Sequence, residues 1–393
     1  MKILYVSRSY IPSTKANSVH VMKMCSAFAS LGHTVTLTGL ESLESKDLRL
    51  SHNEVLEFFN CAHHFKVARF KSRGFFGFGK LLRRSYPFRS MIYSILYKPD
   101  LLYTRDQTSA FFCSFVNRTV IFELHGLTFL RSWLSKKIFE LLVKRNTVKR
   151  IVVISEALKN ELLKVYPLLS YRDVLVAHDG SSDETIKSDS DSEVHLGKDG
   201  VPKLIYVGSL HEGRGYDLIE ALANKLSEFE FHIVGTGNLE KRLQERNDLP
   251  ANLFFHGYKP YFKTIAFRNA ADILLAPYEK KVFLSGGEDT SSWMSPLKIF
   301  EYMSSAKPII CSDLPVIREV LRDNENALLV EPDNVDAWAS AVYKILKDKE
   351  FADRVSKNAR LDFVNYYTWE QRASNVISFQ SVMNDQVSIN AFL

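Results

Sequence analysis

Three short stretches of this chain combine residue types that handle anions with places where ligands collect. The first runs Tyr206-Val207-Gly208-Ser209-Leu210 and then Glu212-Gly213-Arg214-Gly215-Tyr216-Asp217. An apolar strand there enters a glycine-bearing loop that carries one arginine and leads into a helix. Glycine lets backbone amides approach a phosphate, and a guanidinium adds a bidentate charge. The second is Ser295-Pro296-Leu297-Lys298-Ile299-Phe300-Glu301-Tyr302-Met303, which predicts a helix with Ser295 as its cap and Pro296 in its first position. Lys298 then falls in the first turn, where the helix dipole disfavours a cation by about 0.3–1 kcal/mol. An anion at this terminus would explain it, with Glu301 one turn deeper on the same face, placed for a diol-bearing sugar. The third is Phe122-Glu123-Leu124-His125-Gly126, a strand that ends on a polar His-Gly pair. Each stretch also has a plain structural reading: turns that need glycine, a Lys298–Glu301 surface pair, a histidine held in the core.

The elements around these stretches follow one rhythm. Apolar runs at Lys2–Val6, Thr34–Thr38, Leu101–Thr104, Thr119–Glu123, Arg150–Ile154 and Val174–Ala177 alternate with helical periodicity. One helix, capped by Asn17 or Ser18, carries Val21, Met24, Cys25, Phe28 and Leu31 at helical spacing. Residues 181–200 are rich in Ser and Asp and read as a linker. The rhythm then restarts with strands at Lys203–Val207, Glu230–Val234, Asn252–His256, Asp272–Ala276, Pro308–Cys311 and Ala327–Val330 and a helix at Tyr216–Leu226. The expected fold is α/β: two Rossmann-like, doubly wound parallel-sheet domains, residues 1–180 and 201–366, facing across a cleft. A last helical stretch within 367–393 lies beyond the needs of the second domain. In such sheets ligands bind at the carboxyl ends of strands, where all three stretches fall.

Composition narrows the classes. With 46% hydrophobic and 24% charged residues, the chain is globular rather than disordered. Its four cysteines are scattered without a CxxC pair, so neither a disulfide framework nor a zinc site is expected, and the compartment reads as a reducing cytoplasm. No apolar run reaches the roughly 18 residues of a membrane span. Asp189-Ser190-Asp191 lies in the linker and reads as solvated. Val234-Gly235-Thr236-Gly237 opens like a dinucleotide fingerprint, but Glu240 stands where the third glycine belongs. The net charge of +6 hides an asymmetry, because residues 1–180 hold 27 Lys and Arg against 13 Asp and Glu. Much of it lies between Phe58 and Pro99, which has no acidic residue. There Arg69, Lys71, Arg73, Lys80, Arg83 and Arg84 are interleaved with aromatics such as Phe75 and Phe76. That mixture suits an anionic membrane or a lipid-linked acceptor. Core packing is the plain alternative, and no nucleic-acid motif accompanies it.

Taken together and in this order, the motifs resemble glycosyltransferase family 4, the retaining, nucleotide-sugar-dependent enzymes of the GT-B fold. The resemblance runs from Lys2–Val6 and Ala16-Asn17-Ser18-Val19-His20-Val21-Met22-Lys23 through Val153-Ile154-Ser155 and Tyr206–Leu210 to Ser295–Met303. Tyr367-Thr368-Trp369-Glu370 is similar to the family's C-terminal helix that crosses back onto the first domain. The resemblance implies a UDP- or GDP-sugar donor held mainly by the second domain, without a metal or other cofactor. The acceptor would be a glycan or a lipid-linked glycan, in envelope polysaccharide assembly on the inner face of a membrane. It also implies residue roles. Glu301 matches the second glutamate of the E-x7-E motif, which holds the ribose. Arg214 falls at the phosphate-binding lysine, with Gly208, Ser209 and Gly235 in the donor loops, and the amides of Leu297 and Lys298 cradle the diphosphate after Ser295. His125 matches the active-site histidine, and the loop at Ala16-Asn17, with His20 beyond it, matches the glycine-rich loop between donor and acceptor. Three positions depart from the pattern: Trp293 replaces the first glutamate, Ser209 stands where many members have arginine, and Ala16-Asn17 replace a glycine pair. Lys298 then restores the lost phosphate charge in what reads as a variant subgroup. Two other readings remain: a GT-B-like epimerase or phosphorylase, and an inactive membrane-associated partner subunit.

Overall fold

The computed structural model describes residues 1–13, 15–42, 50–73, 78–183, 194–237, 246–283, 287 and 289–379. Seven strands build the first sheet: β1 Lys2–Ile11, β2 Thr34–Glu41, β3 Lys66–Phe70, β4 Leu101–Thr104, β5 Val120–Leu124, β6 Val148–Val153 and β7 Val174–Val176. Six build the second: β8 Lys203–Val207, β9 Glu230–Val234, β10 Leu253–Phe255, β11 Ile273–Ala276, β12 Ile309–Ser312 and β13 Leu328–Val330. The spatial orders are β3-β2-β1-β4-β5-β6-β7 and β10-β9-β8-β11-β12-β13, with every pair parallel. Both sheets reverse direction of winding beside their first strand, between β1 and β4 and between β8 and β11. These are the crevices where an open sheet takes a ligand.

Alternation along β1 shows how the layers form. Ile3 and Tyr5 point to one face of the sheet and pack on the helices Ala16–Ser30, His52–Phe58 and Trp369–Ile377. Leu4 and Val6 point to the other, against the helices Tyr86–Tyr97, Gln107–Cys113, Trp133–Val143 and Glu156–Val165. Trp369, Ala373 and Val376 therefore lie in the first domain's core although the chain has already built the second domain. The return path lies beside the outward one. Ser181 N donates to Tyr367 O at 3.0 Å, Trp369 N donates to Ser181 O at 3.2 Å, and a Cβ on Gly180 would meet Tyr367 O at 2.6 Å. From 181–200, Leu196 packs into the core of the second domain.

Several local expectations change. Helix Ala16–Ser30 begins before Asn17 and Ser18, so neither caps it. Instead Asn17 Nδ2 donates to Ser9 Oγ at 2.8 Å and Ser18 Oγ to Tyr10 O at 3.0 Å. β1 runs five residues past Val6 with a register shift, because Ser7, Arg8 and Ser9 hide a continuing strand behind polar side chains. β3 at Lys66–Phe70 is an edge strand that the basic stretch concealed. Among the described residues no helix is long and apolar enough to cross a membrane.

Candidate functional site

The first-domain half of the site gathers around one carboxylate. Glu123, fully buried at the end of β5, accepts hydrogen bonds from Tyr103 OH and from Arg372 Nη2, the latter at 3.0 Å, and its Oε1 meets His125 Nε2. His20, on the opposite helix, places Nε2 3.3 Å from Glu123 Oε1 and 3.1 Å from Asp179 Oδ1. Its ring stands edge-on to those of His125 and Trp369, centroids 5.1 Å away in both cases. Arg372 reaches this point from the helix that crosses back, and also donates to His178 O at 2.9 Å and Ala177 O at 3.2 Å. Arg105 Nε lies 3.9 Å from Glu123.

Charge explains the protonation of this group. Burial alone would raise the Glu123 carboxyl, but Arg372, His20 and His125 outweigh it and hold it well below the usual range. Asp179 likewise sits near 2, as His20, His125 and Arg372 overcome its burial. His125 is pushed down to about 4, first by burial and then by Arg105, so it is neutral at ordinary pH. One ligand atom from each of His20, Glu123, His125 and Asp179 lies within 4.8 Å of the others. By residue type they could hold a divalent ion. Arg372 and Arg105 already match the two carboxylates, however, so such an ion would add uncompensated charge to a buried cluster.

The second-domain half is built at the ends of β8, β9 and β11. Lys298 Nζ is buried with no hydrogen-bond partner among the described residues, 3.6 Å from the centroid of the Tyr206 ring and 5.1 Å from that of Tyr278. Arg214 lies over Tyr278 at 5.6 Å, and its Nε is likewise buried without one. Burial, followed by the charge of Arg214, holds the Lys298 ammonium well below its ordinary pKa. Two neighbouring cations whose buried nitrogens have no hydrogen-bond partner among the described residues suit the binding of an anion. Gly208 makes the arrangement possible, since a Cβ there would lie 2.7 Å from Lys298 Cε. A Cβ on Gly235 would fall 1.8 Å from Gly208 O, so the loops after β8 and β9 can close only on two glycines. Ser209 accepts from Tyr206 OH at 2.7 Å through its carbonyl.

The helix after these loops is Leu297–Ser304, with Pro296 rather than Ser295 at its cap. Ser295 Oγ instead accepts from Asp179 N at 2.8 Å, tying the helix start to the first domain. Pro296 takes the cap because its extended backbone, at φ −79° and ψ 115°, already precedes the first turn. Leu297 packs against the first-domain core at the same junction. Glu301 is steered by Arg268, whose Nη1 is 3.7 Å from it, rather than serving only as a surface mate for Lys298. Trp293 packs on the first domain, and Ser155 Oγ donates to its carbonyl at 2.9 Å. Glu319 also bridges the domains, its carboxylate accepting from Glu156 N at 2.7 Å and Ala157 N at 2.8 Å. It thereby caps the first turn of a helix in the other domain.

The structure thus brings His20 and His125 into one cluster, and Gly208, Arg214, Gly235 and Lys298 into another. Ala16 opens its helix at the carboxyl end of β1. Sequence reasoning missed Glu123, Asp179 and Arg372 as members, and Tyr206, Tyr278 and Arg268 as their second-domain counterparts. A glutamate in the apolar run of β5 was the one available signal. The basic stretch is divided. Arg69 donates to Leu50 O at 2.9 Å and Arg83 to Ser72 O at 3.1 Å, so both brace local backbone. Lys71, Arg73, Lys80 and Arg84 are exposed, and Phe75 and Phe76 lie outside the described residues.

Comparison with known proteins agrees with this geometry. Residues 18–180 match the family model Glycosyltransferase Family 4, and residues 187–362 match Glycosyl transferases group 1. A phosphatidyl-myo-inositol mannosyltransferase of Mycolicibacterium smegmatis is 27% identical over 189 residues, 46% of either chain. An uncharacterized glycosyltransferase of Methanocaldococcus jannaschii is 22% identical over 240 residues, 60% of either chain. The matched stretches therefore span about half to three fifths of these curated relatives. Among solved structures, sucrose-phosphate synthase from Thermosynechococcus elongatus superposes with a TM-score of 0.71 at 16% identity, covering 95% of this chain and 97% of that one. Anabaena HepE in complex with UDP and glucose gives 0.66 at 17% identity, over 96% and 98%. With a family-4 match over the first domain, a group-1 match over the second and a two-domain architecture shared with these solved structures, the chain has the GT-B fold and both of its domains belong to glycosyltransferase domain families.

Proposed function

We propose that the chain transfers a sugar, with retention of configuration and without a metal, from a UDP- or GDP-sugar to a hydroxyl of a glycan or lipid-linked acceptor in envelope polysaccharide assembly, in contact with an anionic membrane. The observation that carries the donor half is the pair Lys298 and Arg214 beside the glycine loops, whose Nζ and Nε are buried without a hydrogen-bond partner among the described residues. A diphosphate there would meet both cations and the first amides of helix Leu297–Ser304, which helix geometry leaves unpaired. These charges would stand in for a metal as the leaving diphosphate develops its charge. In the step itself the bond from the anomeric carbon to the diphosphate oxygen breaks, and the acceptor oxygen bonds to the same face. The acceptor's proton passes to the departing phosphate. Neutral His125, oriented by Glu123, would contact the donor sugar. Glu301, held by Arg268, would take the ribose hydroxyls.

Calorimetric titration with UDP, GDP, ADP and CDP, with and without EDTA, tests this reading. One nucleotide should bind saturably, unaffected by EDTA, and Glu301→Ala should weaken it. Binding of none, or loss of binding in EDTA, overturns the donor assignment.

A proton should accompany the nucleotide. Burial, and then the charge of Arg214, depresses the Lys298 ammonium, so a phosphate that meets it raises its pKa and binding takes up protons. Affinity should accordingly fall as pH rises, by up to about tenfold per pH unit. UDP titrations in HEPES and Tris at one pH should differ in enthalpy, and Lys298→Met should remove the difference.

A further inference from the structure

Helix Tyr86–Tyr97 is apolar on both faces: Tyr86 is buried, and Met91, Tyr93 and Tyr97 pack on the first-domain core. Its inward positions include Ser90 and Ser94, both buried, while Phe88, Ile92, Ile95 and Leu96 face outward at helical spacing. Phe88 is 51% exposed and Leu96 77%. An isolated exposed leucine needs no explanation, but a helix that leaves an apolar stripe in solvent does. Ser94 is accommodated locally, since its Oγ donates to Met91 O at 2.7 Å and accepts from Asn117 Nδ2 at 3.0 Å, whereas Ser90 Oγ is buried without a hydrogen-bond partner among the described residues.

The same helical layer exposes further apolar residues. Helix Gln107–Cys113 lies between Tyr86–Tyr97 and Trp133–Val143 on one face of the first sheet, and at the start of the last of these Trp133 is 74% and Leu134 60% exposed. Exposed cations stand beside these residues in sequence: Lys80 and Arg84 precede helix Tyr86–Tyr97, Lys98 ends it, and Arg131 stands two residues before Trp133. The acidic residues nearest in sequence, Asp100 and Glu140, are engaged by Lys2 N at 2.7 Å and Lys137 Nζ at 3.0 Å.

We propose that this outer helical layer of the first domain docks on an anionic lipid bilayer, with Phe88, Ile92, Leu96 and Trp133 entering the headgroup region and the flanking cations meeting lipid phosphates. Aromatic and aliphatic side chains accompanied by Lys and Arg match that interface in both polarity and charge. A second copy of the chain fits less well, because self-association would set the same cations against each other. The inference rests on the membrane contact of the proposed function and moves it from the edge strand β3 and its basic residues to a different face.

The full-length chain supplies its own probe. Of its four tryptophans, Trp338 and Trp369 are buried and Trp293 half-buried, leaving Trp133 exposed. Phosphatidylglycerol–phosphatidylcholine vesicles should sediment the protein, shift its tryptophan emission to the blue and, with brominated acyl chains, quench it. Trp133→Phe should abolish the optical changes while leaving most sedimentation. Leu96→Glu with Ile92→Glu, both at exposed positions, should weaken vesicle binding at least tenfold. UDP calorimetry on the same variants should be unchanged, so failure of docking is read separately from failure of the donor site. The proposal is overturned if anionic vesicles do not bind the chain, if the paired Leu96/Ile92 variant binds them as wild type does, if only Lys71→Glu with Arg73→Glu abolishes binding, or if sedimentation velocity shows the apolar face closing a homodimer instead.

Discussion

Arg372→Ala is expected to destabilise the chain by about 3–5 kcal/mol, the cost of stripping a buried ion pair of one partner. Glu123 would be left fully buried beside Tyr103 and two histidines, with Arg105 at 3.9 Å as its nearest cation. Urea unfolding followed by tryptophan emission checks the size of the loss. Glu123→Gln in the same background removes the orphaned charge and should recover a large part of it, although each substitution alone is harmful. A loss below about 1 kcal/mol for Arg372→Ala, in the range of exposed pairs, would show that the cluster is not held together by this contact. The effect should reach the site as well, because His125 takes its orientation from the same carboxylate.

The second large effect belongs to the two cations of the donor half. Arg214→Ala and Lys298→Met should each weaken nucleotide-diphosphate binding by roughly 10- to 150-fold, the worth of a charge-assisted hydrogen bond of about 1.5–3 kcal/mol. Turnover should fall further, by about 10²–10³, if the same groups stabilise charge that grows on the leaving phosphate. Nucleosides without phosphate should bind the variants and the wild type alike, a control that separates lost charge from a collapsed pocket. If neither substitution weakens binding of the diphosphate, the phosphate assignment fails.

Much of this molecule is legible in its sequence, for a reason visible in the strands themselves. β4, β8 and β11 lie within covered parallel sheets, so their residues form short, nearly continuous apolar runs with sharp ends. β3 is an edge strand with only one neighbour, and Lys66 and Arg69 broke its pattern. Lys298 was readable because it violates the helix-dipole rule, and the buried amine explains the violation. Glu123 was not read, since its partner Arg372 is 249 residues away and no local spacing connects them. Helix Tyr86–Tyr97 is hard to orient for a different reason: it carries apolar residues on both faces, so periodicity alone does not say which one turns inward.

The helix that crosses back has a consequence for synthesis. A ribosome delivers Glu123, with the rest of the first sheet, well before it delivers Arg372. At about 5–20 residues per second the 249-residue interval lasts roughly 12–50 s. During that time the nascent first domain lacks Trp369, Ala373 and Val376 from its core, and its buried Glu123 carboxylate has the more distant Arg105, at 3.9 Å, but not Arg372 to face. Its folding cannot be completed in vectorial order, and the second domain takes shape while the first still waits for its final piece. A chain released early, even one with both sheets entire, would retain an open seam along helix Ala16–Ser30.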